Sequence, residues 1–413
     1  MDINVFDGYR EGTSVAELTS AIQSAIDRVS EAGGGKVTLD RPGEYLLNGL
    51  NLRSKVNFVI GKGVTIKASG DESTYTHRPG PFEFLRAQTP ICAFIFTQHC
   101  HDVTISGEGA IDGNYRLYLA DEQEDLTHLT FTKYPRPMGC YFEDCRNTRI
   151  EGVTFQNMPF WTVHLVGCVD TVATGVNIAN DVAMPNTDGF DVDRCRNTLI
   201  EHCTIVGGDD GVCPKTTEET ARYGNCVNLH VRDCRIRSTS SAIKFGSSSF
   251  GDFENFTFED LTIEATNRAL GVQVRDTGAV RNVAFRRIHL STHDYGARWW
   301  GAGEPIYVTI NARSDADDVS SCRIENVIFS DITGDADNGI IVYAPDPKQI
   351  RNVIIENVHL DLHPANPNRL VFDMRPCEES RRDLIAPVQA LTLNGVDVEA
   401  RDVELRVTER ATA

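Results

Sequence analysis

From Leu50 onward the chain runs in short stretches of alternating apolar and polar residues, each closed by a turn. VNFVIGKGVTIKAS and HDVTISGEGAIDGN are the first clear units. CRNTRIEGVTFQNMPFWTVHLVGC, CRNTLIEHCTIVGG, VRNVAFRRIHL and IRNVIIENVHLDL repeat the same plan. Alternation with a period of two marks a strand buried on one face. A unit that returns every 20 to 30 residues marks a solenoid. Asparagine recurs at the turns, where it tolerates left-handed backbone and can bond its own chain. In stacked coils such residues would form a ladder. The pattern predicts an all-β, single-domain parallel β-helix over residues 1–413. About ten coils are expected over 50–375, with a last coil and a covering strand within 376–413.

One stretch breaks the pattern. Residues 14–32 place Leu18, Ile22, Ile26 and Val29 on one helical face. Ser14 and Glu17 form a capping box at the start, and Gly33, Gly34 and Gly35 end the helix. A helix here would plug the first coil, because an open solenoid end exposes unpaired strand edges. Two insertions, at 70–98 and 115–135, interrupt the coils. Long loops on a rigid scaffold commonly wall a binding groove.

Charge narrows the partners. A net charge of −19 and a pI near 5.0 argue against nucleic acid and against an anionic membrane surface. No stretch approaches the ~20 apolar residues of a membrane span. The N-terminus MDINVFDGYREGTS has no basic, then apolar, leader pattern. The expectation is therefore a cytoplasmic protein, or a secreted one if a leader has been removed. A homo-oligomer stays open. The 12 cysteines include no CxxC pair. Cys145, Cys168, Cys195 and Cys226 recur where a repeat begins, as reduced residues stacked inside the coils.

The candidate chemistry lies in NTDGFDVDRCRNTLIEHCTIVGGDDGVCPK, residues 186–215. Asp188 and Asp209 are separated by one complete strand-turn-strand unit, and Asp210 follows. Coils stack at about 4.8 Å, so these carboxylates are expected to be neighbours on one outer face. Carboxylates that close cannot all ionise freely, and at least one is held protonated. A protonated acid beside an ionised one is what glycosidic cleavage requires. A calcium site and a solvated acidic turn use the same residues. The hydrolytic reading requires no metal and no cofactor.

Three segments carry a family resemblance. AIQSAIDRVSEAGGGKVTLDRPGEYLL resembles the opening of many pectinase-like β-helices. NTDGFDV followed by GDD resembles glycoside hydrolase family 28, the polygalacturonases and rhamnogalacturonan hydrolases. That resemblance implies a right-handed coil and inverting hydrolysis, with Asp209 as general acid and Asp188 and Asp210 holding the water. A stacking separation of about 5 Å would by itself point to a retaining pair, so the stereochemistry rests on the resemblance. Trp161 and His164, in PFWTVHL, are similar to a family W-x-x-H segment, with Asp191 a supporting carboxylate. Asn186 and Lys215, at the two ends of the segment, join His164 and Asp191 as candidate substrate contacts.

Downstream the resemblance thins. Ser240, Ser241 and Ala242 stand where polygalacturonases have Gly-His-Gly. Gln273, Val274 and Arg275 stand where they have the carboxylate-binding Arg-Ile-Lys. Lys244 adds a cation in the neighbouring coil. Trp299 and Trp300, in YGARWWGAGEPIY, are expected to form a sugar-stacking wall, and Glu304 to accept sugar hydroxyls. A neutral or sparsely charged glycoside of plant or microbial origin, or a short oligosaccharide with at most one uronate, is the expected substrate in preference to polygalacturonan. The rivals are a β-helix lyase, epimerase or intramolecular glycosyl transferase, and a glycan-binding β-helix without catalysis.

Overall fold

The computed structural model describes residues 1–408, leaving out 9, 83–88, 132–134, 297, 314–316, 365–371, 374–382, 385–390 and 394. The chain divides into two compact units. One comprises Met1–Asp191 and Cys195–Gly208, the other Val192–Arg194 and Asp209–Ala413.

In the first unit parallel ladders run through successive coils. His101–Ser106, Arg146–Glu151, Val169–Thr174 and Arg196–Glu201 stack with Ile105, Ile150, Ala173 and Ile200 in one inward row. Thr89–Gln98, Met138–Glu143 and Val163–Val166 build a second ladder. Ala110–Asp112, Thr154–Gln156, Asn177–Ala179 and Thr204–Gly207 build a third. The Ile105 row is apolar and buried, as the alternation requires, while the row two residues earlier stacks Val103 with the buried threonines Thr148, Thr171 and Thr198. The insertion at 70–98 contributes Thr76–Phe82, which pairs antiparallel with Thr89–Gln98.

The helix spans Val15–Glu31 and buries Leu18, Ile22, Ile26 and Val29. Each such side chain contributes roughly 1.5–3 kcal/mol on leaving water. Its capping box is present: Ser14 Oγ accepts from the Glu17 amide, and the Glu17 carboxylate accepts from the Ser14 amide. Gln23 both donates to the Asn51 carbonyl at 2.9 Å and accepts from the Asn51 amide at 2.8 Å. The helix thus caps first-coil edge groups that no strand pairs.

In the second unit the strands lengthen. Phe253–Thr266, Ala279–Thr292, Arg323–Ala336 and Ile350–Leu362 stack in parallel. Phe258, Phe285 and Phe329 lie one above another with ring centroids 4.8 Å apart. Ser241–Lys244, Arg268–Val274, Ile306–Ile310 and Ile340–Tyr343 form the other principal ladder. The expected covering strand falls partly on residues outside those described. Its described parts add rungs instead of a cover: Leu391–Leu393 pairs with Ile340–Tyr343, and Val398–Val407 with Ile350–Leu362. The coils make a right-handed parallel β-helix.

The turns work as the asparagine pattern predicts. Asn228, Asn255, Asn282, Asn326 and Asn352 all have φ between 52° and 62°. Each of the last four donates its amide to the asparagine below, at 3.4, 3.0, 3.0 and 2.8 Å. Left-handed backbone is costly for most residues, and asparagine is among those that tolerate it. The 11 described cysteines are buried and form no disulfide with one another. Burial pushes the Cys168 thiol far up, with Cys195 adding to it against the hydrogen bond of Cys145, so this sulfur acts as a small neutral filler.

Asn282 both donates to and accepts from its ladder neighbours, so Asn282→Ala should cost about 1–2 kcal/mol in urea unfolding. Asn282→Gly removes the same hydrogen bonds without the φ penalty and should cost less. Equal losses would show that backbone strain contributes nothing there.

Candidate active site

In the first unit the NTDGFDV turn is held from below. The amides of Thr162 and Val163 donate to the carbonyls of Asp188 and Gly189 at 2.9 and 3.1 Å. This fixes the turn on the strand that carries His164. Thr187 Oγ accepts from the Gly208 amide at 2.7 Å and donates to the Met184 carbonyl. Asn180 donates to Thr162 Oγ and accepts from the Met158 amide. Asp188, Asp191 and His164 are all buried. His164 lies edge-on to Trp161 and Tyr141, at 4.9 and 5.3 Å between ring centroids.

Arg136 organises this corner, and nothing in the sequence pattern singled it out. Its guanidinium, 2% exposed, donates to the carbonyls of Pro159 and Pro185 and to Asn186 Oδ1 at 2.7 Å. It also lies 3.5 Å over the Phe131 ring. Asn186, at φ 60°, is therefore tied to Arg136 through its side chain. The prolines flanking Arg136 were the only available hint of a rigid buried approach.

In the second unit Asp209 and Asp210 open the strand Val212–Lys215. Asp209 accepts the Asp210 amide on Oδ1 at 2.9 Å, and its carbonyl accepts from Ser238 Oγ. Ser238 in turn accepts from the Ser240 amide, so it sets the backbone at the acid pair. Burial, then the Asp210 charge, push the Asp209 carboxyl up to about 6, although Lys244 and Lys215 pull it down. Lys244 Nζ pairs with Asp210 Oδ2 at 2.7 Å. Asp210 Oδ1 is buried without a hydrogen-bond partner. Burial works to lower the Lys244 value, but Asp210, the Cys213 thiol and Asp209 outweigh it and raise it.

Cys213 sits in the middle of this group. It donates to the Gly246 carbonyl at 2.7 Å, lies 3.5 Å from Asp210 Oδ2, and receives Lys215 Nζ at 3.0 Å. Alternation along GDDGVCPK puts Cys213 on the face of Lys215, a signal the sequence reading passed over. Lys215 is thus engaged by Cys213 and Gly246, and it is buried.

The Trp-Trp-Gly segment departs from expectation. Trp299 is 4% exposed and packs as core; Trp300 is half-buried. Glu304 is fully buried and takes a two-pronged pair from Arg268, at 3.0 and 3.2 Å, plus the Ala302 amide. Arg268 crosses the outer side of Gly271, where a Cβ would come within 3.2 Å of it, and stacks 3.6 Å over Tyr307. Glu304 is therefore a loop anchor and not a sugar acceptor. The reason is charge: a buried guanidinium needs a carboxylate, and Glu304 supplies one. Gln273 and Arg275 are buried on the strand Arg268–Val274 and just beyond it, and Ser241 is buried at a strand start.

Glu304→Ala should lower stability by about 3–5 kcal/mol, the cost of leaving Arg268 buried and unpaired. Thermal or urea unfolding reads this directly. Normal stability with a raised KM would return Glu304 to the sugar.

Comparison with known proteins identifies the family. Residues 36–369 match the profile of glycosyl hydrolases family 28. A probable polygalacturonase of Vitis vinifera is 27% identical over 363 residues, spanning 80% of this chain and 71% of the relative. An endo-polygalacturonase of Pectobacterium carotovorum is 24% identical, spanning 83% and 84%. The fold matches that of a Thermotoga maritima exopolygalacturonase with a TM-score of 0.72 at 21% identity, covering 88% of this chain and 87% of that one. A family profile matched over most of the chain, on a parallel β-helix that carries NTDGFDV and GDD, establishes that the chain belongs to glycosyl hydrolases family 28 and is a glycoside hydrolase.

Proposed function

We propose that the chain cleaves a pectin-type oligosaccharide with inversion, using Asp209 as general acid and Asp188 and Asp210 to hold the attacking water. The Asp209 carboxyl, raised to about 6, carries this reading. A carboxyl at that value is protonated in a useful fraction near neutral pH and can protonate the leaving oxygen. Asp210 offers Oδ1 to a water while Lys244 holds Oδ2. The names of the relatives, polygalacturonases, support the pectin class.

Local charge favours a substrate with few uronates. Lys244 is paired with Asp210, Arg268 with Glu304, and Arg313 with Asp276. A uronate carboxylate would have to compete with carboxylates already in place. The net charge of −19 adds a general repulsion of polyanions.

Asp209→Asn should lower kcat by at least about 10²-fold with folding intact. The active form has Asp209 protonated, so kcat should fall as pH rises through about 6. Lys244 lowers the Asp209 value. Lys244→Met should therefore move this alkaline limb to higher pH. A limb that stays in place, or moves down, would assign it to another group. Chelators should leave the rate unchanged, because two lysine ammoniums already neighbour the Asp210–Cys213 group and repel a divalent cation.

A further inference from the structure

The outer face of the second unit carries polar groups that this mechanism does not use. Lys244 aligns with Gly271, and Gln273 lies two residues further along the same face. Gln273 aligns with Thr309 on the next rung. The intervening Val272 and Val308 point the other way, into the core. Gln273 and Thr309 are each 1% exposed. Neither amide atom of Gln273 has a hydrogen-bond partner, and neither does the Thr309 hydroxyl. Buried amides and hydroxyls are nearly always bonded, so two unmet groups side by side on rigid strands call for an occupant.

Their chemistry restricts that occupant. Together they offer an N–H donor pair, a carbonyl acceptor, and a hydroxyl that does both. A sugar hydroxyl or hydroxymethyl group, which donates and accepts, satisfies all of them. A carboxylate offers acceptors only and would face the Gln273 carbonyl oxygen. Two nearby cations are already committed, Lys244 to Asp210 and Arg268 to Glu304. We propose that Gln273 and Thr309 form a subsite that takes a neutral sugar unit through its hydroxyls and selects against a uronate there. The inference rests on the hydrolase reading above and adds the identity of one bound unit.

Two ligands test it: a galacturonate trisaccharide, and the same trisaccharide with one unit replaced by galactose at each position in turn. Binding to full-length Asp209→Asn is measured by calorimetry, and kcat/KM on the active enzyme. One galactose-bearing isomer should bind at least about tenfold tighter than the all-uronate ligand. Thr309→Val, close in shape and safe for folding, and Gln273→Leu should each remove about tenfold of that advantage while changing the all-uronate affinity less than twofold. Gln273→Arg should reverse the preference. A wild-type preference for the all-uronate ligand, with turnover intact, overturns the subsite and leaves the hydrolase reading standing. Unchanged affinities in both Thr309→Val and Gln273→Leu do the same. Binding of none of these ligands overturns the subsite and the pectin-type substrate together.

Discussion

Every coil must turn the chain and return it in register, and a few left-handed residues carry that constraint. Asn255, Asn282, Asn326 and Asn352 each accept the strained φ and each donate to the asparagine below. A slip of one residue at such a turn would exchange the two faces of the strand that follows. Phe285 would then face solvent, and outward residues such as Gln273 would enter the core. The side-chain chemistry of the site is precise because the turns allow one register.

The second constraint is the burial of charge. Asp209, Asp210 and Arg268 are buried, and a buried charge is stable only beside a partner. Lys244 meets Asp210, Arg268 meets Glu304, and Arg313 meets Asp276. The same burial that forces these pairings raises Asp209, whose own neighbours only partly offset the loss of water. In the proposed mechanism, the acid strength of Asp209 and the preference for few uronates share this one cause. A cation already held by an internal carboxylate is a poor receptor for a uronate, and an acid deprived of water is a good proton donor.

This also separates the chain from what its motifs suggest. NTDGFDV and GDD resemble the family's motifs, and the relatives are named polygalacturonases. The groups that would bind repeated carboxylates are reduced to paired cations and to an uncharged amide at Gln273. Of the expected sugar wall, Trp299 lies in the core and Glu304 is locked to Arg268.

The sequence by itself determined the fold. Period-two alternation, a recurrent unit and asparagine or aspartate at the turns are local properties, and a local repeat stacks in few ways. It also determined the capping helix, whose box and apolar face lie within a few turns of chain, and it located Asp188, Asp209 and Asp210 through two short motifs. Tertiary structure decided which polar residues have partners. Arg268 finds Glu304 across 36 residues, Arg136 finds Asn186 across 50, and Lys244 finds Asp210 across 34. Nothing in a side chain's identity says whether its charge is already answered. That depends on which coil lies above or below and on how completely water is excluded, and both follow from the packed chain.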